Sequence, residues 1–318
     1  MTAQHPVYLA ENPHHQGALR RFGKRVRAYI LSLMLFLPLL IINLLQMLSL
    51  VIRPISGYWF RRVNWFFADR YWAYLVHGVE KLNRIEVTIT GDPLPPHENA
   101  LLMPNHQNIA DIPVLMSLAA RYHRLGDMKW FVKDIIKYVP GPGWGMLFLD
   151  CIFLKRNWAN DRAKIEQAFH SIIQNKVSIW VISFLEGTRI TPPKLKKSQE
   201  YAKKRNLPVT DHVMVPRTKG FVASVIGLRE HLHAVYDITI GYPEGIPSLW
   251  QMMLGDVRKV AIHVKRTPIT ELPDKPQALE NWAIKAFSDK DQRLRQFFET
   301  GAFPEPSTTT LSLGEQGV

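Results

Sequence analysis

The chain has 318 residues, is 47% hydrophobic and carries a formal net charge of +13, with an isoelectric point near 9.8. That length holds one large domain or two small ones with a sizeable core, and the charge points to nucleic acid, an anionic membrane surface or a phosphorylated small molecule. The single cysteine, Cys151, excludes an internal disulfide framework and a thiolate metal cluster; set within LFLDCIFL, it reads as a small buried filler.

Residues 1–28 are a basic N-terminal segment. The run from Tyr29 to Val51, YILSLMLFLPLLIINLLQMLSLV, contains no charged residue and is long enough to cross a bilayer. It is too long for a typical signal-peptide core, and no small-residue cleavage site follows it. Pro38, Asn43 and Gln46 interrupt it and allow a bend toward the interface. Tyr58 to Glu80 is aromatic, with Trp59, Val63, Phe67, Tyr71 and Tyr74 at helical spacing. Arg61, Arg62, Asp69 and Arg70 make it a poor second crossing, so it is expected as an interfacial helix with aromatic rings at headgroup depth. The competing reading is an aromatic core helix packed on the globular domain, and both can hold for different faces. Basic residues flank the apolar run at both ends, which favours a hairpin dipping into one leaflet over a straight crossing. Residues 29–83 are therefore expected to be membrane-embedded and interfacial.

From Arg84 onward the pattern predicts an α/β domain, residues 84–300, with a mixed, mostly parallel sheet flanked by helices. IEVTITG, ALLMP, MKWFV, MLFLDCIFLKR, VSIWVISFLEG, YDITIGY and KVAIHVKRTPI read as strands, and HVMVPRTKGF as a strand running into a turn. Helices are expected over DIPVLMSLAARYH, over DRAKIEQAFHSIIQN (opened by Asn160 or Asp161), around KLKKSQEYAKKRN, over FVASVIGLREHLH and over LENWAIKAFSDKDQRLRQFFETG. YVPGPGWG reads as a turn, and residues 301–318 as a flexible tail.

The chemistry concentrates at strand ends. After ALLMP comes NHQNIAD, with His106 and Asp111 five residues apart. In one continuous helix the two would lie about 140° apart around the axis. With His106 in a turn and Asp111 opening the next helix, the carboxylate can fold back onto the imidazole, as the base and its orienting acid do in a triad. No serine or cysteine completes such a triad, so the reacting hydroxyl or amine belongs to the substrate. SFLEGTRI places Glu186, Gly187, Thr188 and Arg189 at another strand end, where binding residues of α/β sheets gather, and Arg189 can grip a phosphate bidentately. FLKR adds Arg156 and VPRTKG adds Arg217 and Lys219. The four clusters read as one site, three of them positively charged. The ligand-type residues Glu230, His231 and His233 of REHLH read as a solvated helix end, and PGPGWG lacks the Lys-Ser/Thr pair of a nucleotide phosphate cradle.

In this order the clusters resemble the four blocks of the 1-acyl-sn-glycerol-3-phosphate acyltransferase family of glycerolipid acyltransferases. NHQNIAD is similar to its NHxxxxD block. LFLDCIFLKR is similar to the second block, which ends in a basic residue, here Arg156. FLEGTR is similar to the third, usually FPEGTR; Leu185 replaces the proline, a change that loosens the turn and leaves its charged residues intact. VMVPRTKGF, with Pro216, is similar to the fourth, and its VPRTKGF form resembles a branch with bacterial inner-membrane members and eukaryotic lysophospholipid acyltransferases. The resemblance spans roughly Ile85 to Tyr242.

The resemblance implies transfer of a fatty acyl group from a thioester, on coenzyme A or acyl carrier protein, to the free sn-2 hydroxyl of lysophosphatidic acid, giving phosphatidic acid. His106 would be the general base and Asp111 would fix its tautomer. Asn105 or backbone N–H groups would face the tetrahedral oxygen. Arg156, Glu186 and Arg189 would hold the headgroup, and Gly187, Thr188, Pro216, Arg217 and Lys219 would complete the substrate-binding set. No metal or redox cofactor is implied. The expected partners are an anionic phospholipid membrane, a lysophospholipid and an acyl thioester, with no nucleic acid. The expected location is a bacterial inner membrane, with the domain facing the cytoplasm. Two alternatives are another acceptor, such as lysophosphatidylglycerol, and a non-catalytic basic protein at the membrane surface.

Overall fold

The uncharged run is helical, but its helix begins well before Tyr29. In the computed structural model, which describes residues 7–10, 18–155 and 158–303, α1 spans Ala18–Leu48. A 3-10 turn, Ser49–Val51, leads to α2, Gly57–Asn83. Ser56 caps α2 by accepting from the Trp59 N–H at 3.3 Å.

The two helices form a hairpin, and its bonds explain the interruptions in the apolar run. Pro38 has no N–H, so the Met34 carbonyl loses its intrahelical donor; the Tyr74 hydroxyl donates to that carbonyl at 3.0 Å, and Tyr71 donates to the Leu35 carbonyl at 3.1 Å. Asn43 and Gln46 face inward and bond to each other at 3.1 Å; Ser49 donates to the Gln46 carbonyl, and Asn64 of α2 donates to Ser49. Ala28, Leu31, Leu35, Leu39, Asn43 and Gln46 make the buried stripe of α1, at the three- and four-residue spacing of one helical face. The opposite face, including Leu33, Leu37, Leu40, Leu44 and Leu48, is exposed. The helix is long and apolar enough to cross a membrane.

α2 has one buried and one exposed face. Asn64, Ala68, Tyr71, Val76 and Val79 are buried, whereas Tyr58, Trp59, Phe66 and Tyr74 are exposed. Of the charges that argued against a crossing, Asp69 accepts from the Gly126 N–H and Arg61 pairs with Asp150 at 3.2 Å, whereas Arg62 and Arg70 are exposed.

The seven strands are β1 (Glu86–Gly91), β2 (Ala100–Pro104), β3 (Met128–Lys133), β4 (Ile152–Leu154), β5 (Trp180–Ile182), β6 (Ala234–Gly241) and β7 (Lys259–Pro268). They form one sheet in the order β1-β7-β6-β2-β5-β3-β4, parallel throughout except for β6 against β7. The flanking helices are α3 (Asp111–Arg121), α4 (Pro142–Leu147), α5 (Trp158–Gln174), α6 (Pro192–Lys204), α7 (Thr218–Leu228), α8 (Leu249–Leu254) and α9 (Pro276–Thr300). Alternate residues of β2 serve opposite faces. Ala100 and Leu102 join the core beneath α1, α2, α3 and α8, while Leu101 and Met103 join the one beneath α5, α7 and α9.

Several expected elements differ. YVPGPGWG is a turn only to Gly141, since α4 begins at Pro142, and the helix expected over FVASVIGLREHLH ends at Leu228. MLFLDCIFLKR is not one strand: Met146 and Leu147 end α4, and only Ile152–Leu154 pairs, with β3. HVMVPRTKGF contains no strand, because its N–H groups find side chains instead; Met214 donates to Glu186 and Val215 to Ser198. Neither Asn160 nor Asp161 opens α5, which already includes Trp158; Asp161 accepts from the Lys155 N–H at 2.8 Å.

Candidate active site

The site grows from one register. β2 and β5 run parallel with Leu102 opposite Ile182, so the segments that leave their C-terminal ends, NHQNIAD and SFLEGTRI, emerge side by side. The Ser183 N–H reaches the Leu102 carbonyl at 2.9 Å, and the Ile190 N–H reaches the His106 carbonyl at 2.9 Å. The second loop is thereby tied to the first at both ends.

Asp111 opens α3 and turns back on the loop, as the five-residue spacing requires. Its Oδ2 lies 3.0 Å from His106 Nδ1 and accepts from the backbone N–H groups of Gln107 at 2.6 Å and Asn108 at 2.9 Å. Its Oδ1 accepts from the Tyr242 hydroxyl at 2.8 Å. Burial, with the Asp111 carboxylate adding, pushes the Tyr242 hydroxyl well above its usual pKa, so it remains a donor. Asp111 is 0% exposed, and an ionised carboxylate at that depth needs such a set of donors. Since the carboxylate accepts, Nδ1 carries the proton and Nε2 keeps its lone pair. Among the described residues no group bonds to Nε2. The imidazole ring stacks on Phe184, with centroids 3.9 Å apart and planes 22° apart. Ring, tautomer and tilt are thus all fixed, and one basic nitrogen is left without a protein partner.

Glu186 holds the frame from beneath. It is 3% exposed; Oε1 accepts from the His106 N–H at 2.7 Å and Oε2 from the Met214 N–H at 3.0 Å. Burial pushes its carboxyl up to about 8, while those two N–H groups and the charge of Lys290 pull it down. Lys290 of α9 is fully buried, donates to the carbonyls of Met103 and Ile238, and pairs with Asp237 at 2.5 Å. Arg293 also pairs with Asp237. Burial lowers the Lys290 ammonium to about 8.

The other expected residues divide into two groups. Asn105 is 0% exposed, and its amide spans the backbone of Ile240, donating to the carbonyl at 3.1 Å and accepting from the N–H at 2.8 Å. It extends the β2–β6 pairing past Pro104, with one of the two Nδ2 hydrogens engaged on Ile240. Glu186 ties the His106 turn to the Met214 segment through its two oxygens. Pro216 is buried. Gly187 has φ +69°, a conformation strained for other residues, and a Cβ there would stand 2.9 Å from Arg217 Cδ. Leu185, which stands in place of the proline, is 2% exposed, and its carbonyl accepts from the Arg217 N–H at 2.7 Å.

Arg189, Arg217 and Lys219 form an exposed cationic rim, with no side-chain salt bridge to any of them among the described residues. Thr188 accepts from Lys194 at 2.8 Å, which adds a fourth cation. Arg156 lies outside the described residues. Bonds therefore join three of the four sequence clusters. His231 and His233 bond instead to Val177 and Asn99. Among the described residues no group of three or more His, Cys, Asp or Glu side chains is arranged to hold a metal.

Sequence reasoning missed Tyr242, Phe184 and Lys290. Tyr242 stands just past a strand end, and Phe184 lies in the cluster already singled out. Those positions were the available signal. Lys290 offered none, since a lysine on an amphipathic helix ordinarily faces water.

An arrangement of this kind can take a proton from a bound hydroxyl beside an anionic group. Among known proteins, the Acyltransferase family matches residues 75–242, and the Acyltransferase C-terminus family matches residues 251–313. The chain is 32% identical over 273 residues to 1-acyl-sn-glycerol-3-phosphate acyltransferase 3 of Arabidopsis thaliana, covering 84% of this chain and 73% of that one. It is 33% identical over 271 residues to 1-acyl-sn-glycerol-3-phosphate acyltransferase delta of Rattus norvegicus, covering 84% and 72%. The crystal structure of PlsC, the 1-acyl-sn-glycerophosphate acyltransferase from Thermotoga maritima, aligns over 82% of this chain and 96% of that one, with 15% identity and a TM-score of 0.46. At that level of likeness nothing about the site is transferred.

Proposed function

Since this chain belongs to the 1-acyl-sn-glycerol-3-phosphate acyltransferase family and is a membrane-associated acyltransferase of lysophospholipids, we propose that it acylates the sn-2 hydroxyl of lysophosphatidic acid, with His106 as general base. The observation that carries this reading is the His106–Asp111 pair, whose Nε2 is left without a protein partner. Nε2 takes the hydroxyl proton, and the oxygen attacks the thioester carbonyl. The C–S bond then breaks, the thiolate of coenzyme A or acyl carrier protein leaves, and the imidazolium proton neutralises it. Asp111 stabilises the imidazolium in between. A positioned base of this kind supplies about 10²–10⁴-fold in rate. Arg189, Arg217 and Lys219, with Arg156 expected to join them, supply charge for the headgroup phosphate.

The relatives named above support lysophosphatidic acid as the acceptor, and the VPRTKGF sequence keeps lysophosphatidylglycerol in view. The same sequence motivates a bacterial inner membrane. Basic residues at both ends of α1 support a cytoplasmic face for the domain, where activated thioesters are made. The test is a competition. The purified protein in detergent receives acyl-CoA and equimolar lysophosphatidic acid, lysophosphatidylglycerol and lysophosphatidylcholine, and the products are separated. Phosphatidic acid is expected in large excess. Phosphatidylglycerol as the main product would overturn the assignment of the acceptor while leaving the chemistry in place.

A further inference from the structure

Beyond the C-terminal end of β3, on the edge of the sheet from which His106 and Glu186 also emerge, the chain makes a 3-10 turn, Asp134–Tyr138, and then α4. This is a closely folded segment. A Cβ on Gly143 would stand 1.8 Å from the Ile136 carbonyl oxygen, so nothing larger than glycine fits there. Its inner side rests on the hairpin: a Cβ on Gly141 would stand 3.0 Å from Leu39 Cδ2, one on Gly145 would stand 3.6 Å from Asn43 Nδ2, and Phe148 meets Phe60 of α2 with centroids 6.3 Å apart.

Its outer side is apolar and uncovered. Ile135, Tyr138, Val139 and Leu147 are 63%, 66%, 43% and 49% exposed. Lysines surround the root of this patch. Lys137 pairs with Asp134 at 2.9 Å and lies 5.0 Å from the centre of the Tyr138 ring. Lys155 and Lys164 lie within electrostatic reach of Asp134, and Lys133 ends β3.

The occupant follows from what the patch is attached to. The segment packs directly on the Leu39–Gln46 part of α1, whose far face, including Phe36, Leu40, Leu44 and Met47, is also exposed and apolar. If the far face of α1 is solvated by acyl chains, a segment packed on its near face sits at closely similar depth. Apolar tips over a ring of lysines match the boundary between acyl chains and phosphates, where stems lie in hydrocarbon and ammonium groups reach the anionic headgroups.

We propose that residues 134–147 are a second membrane-inserting element, a lip that enters the acyl–headgroup boundary of an anionic leaflet beside α1, on the same edge of the sheet as His106. The lip brings the leaflet to that edge. A lipid tail can then stay in hydrocarbon while its headgroup rises toward the cationic rim. The proposal rests on membrane association through α1 and not on the identity of the acceptor or on acyl transfer.

The test reads depth rather than activity. Tyr138→Cys, Leu147→Cys, Leu37→Cys on the outer face of α1 and Lys196→Cys on exposed α6 each receive an environment-sensitive fluorophore in the full chain. The native Cys151 is part-exposed rather than fully buried, so all labels go into a Cys151→Ser background, whose otherwise unsubstituted chain is the blank. Variants with unchanged melting are reconstituted in equal parts phosphatidylglycerol and phosphatidylcholine carrying nitroxides on the headgroup or on acyl carbons. Labels at 138 and 147 should shift to the blue and be quenched several-fold more by shallow acyl nitroxides than the label at 196, approaching the label at 37. With phosphatidylcholine alone, quenching at 138 should fall more than at 37. Labels at 138 and 147 that behave like 196 while 37 inserts would overturn the lip. A blue shift without lipid, accompanied by dimerisation, would overturn it in favour of a second copy as the occupant. Loss of insertion at 37 as well would remove both the lip and the membrane role of α1, with acyl transfer to soluble acceptors unaffected.

Discussion

The turn that holds His106 and the rim that carries Arg189, Arg217 and Lys219 lie on the same loops and are built on opposite terms. In the turn the two carboxylates are fully committed and, among the described residues, His106 Nε2 is left open. Asp111 accepts from the imidazole, two backbone N–H groups and a tyrosine, and Glu186 bridges two more N–H groups. In the rim the cations are exposed and, among the described residues, unpaired. The difference follows from what each part must do. A base needs one tautomer and one orientation, which buried and redundant bonds provide. A phosphate needs charge that has not already been spent on the protein. Substitutions in the turn should therefore lower kcat, and substitutions in the rim should raise KM.

The largest effect on that contrast is expected from Asp111→Asn. An amide can satisfy the two N–H groups only in the orientation that turns its NH2 away from them, and it leaves Nδ1–H without a charged acceptor. Turnover should fall by about 10³–10⁴-fold with KM little changed. Steady-state kinetics on folded protein check this, and a KM effect alone would erase the distinction between turn and rim. Arg189→Ala and Arg217→Ala should each raise the KM for the lysophospholipid about 10- to 100-fold, corresponding to about 1.5–3 kcal/mol for a charge-assisted bond, with kcat nearly intact. A loss confined to kcat would move these arginines into the turn's category. Tyr242→Phe removes one of the donors to Asp111 and should cost about 1.5–3 kcal/mol of stability, read by denaturant unfolding, with a smaller fall in kcat than Asp111→Asn gives.

The smallest effect sharpens the comparison through pH. Burial raises the Glu186 carboxyl in the fold to about 8 from its ordinary 4.5, so the unfolded chain loses this proton first. The wild type therefore loses stability as pH rises from about 4.5 to about 8. Glu186→Gln has no such proton. It loses one of the two N–H bonds and is less stable at low pH, but the gap to wild type should narrow across that window. Parallel melting curves at pH 5 and pH 8 for the two proteins measure it. A gap that widens with pH would mean that Glu186 is ionised in the fold and held there by Lys290.

Much of this contrast could be read from the residues, because it depends on local spacing. The five residues between His106 and Asp111 require a turn followed by a helix start, and ALLMP and VSIWVISFLEG mark the strands that deliver both loops. Apolar periodicity located the helices wherever the run was long. It failed at MLFLDCIFLKR, since a short apolar run fits a helix end and a strand equally well, and Gly141 and Pro142 decide for a helix start. It failed at HVMVPRTKGF because alternation alone cannot show that Glu186 and Ser198 take the N–H groups a neighbouring strand would need. The partners of Asn105, Tyr242 and Lys290 were beyond such reading for another reason. Each residue meets its partner across 52 to 187 residues of chain, and only the order of the strands brings them together.

The central claim is that Nε2 of His106 removes the proton from the acceptor hydroxyl. His106→Ala leaves the backbone bonds to Glu186 and Ile190 available, so the turn can still form. The direct measurement is release of free thiol from acyl-CoA in the presence of lysophosphatidic acid, for wild type and His106→Ala at equal folded concentration. The account predicts a fall in kcat of about 10²–10⁴-fold, with the KM for lysophosphatidic acid within a few-fold of wild type. Turnover by His106→Ala at the wild-type rate would contradict it.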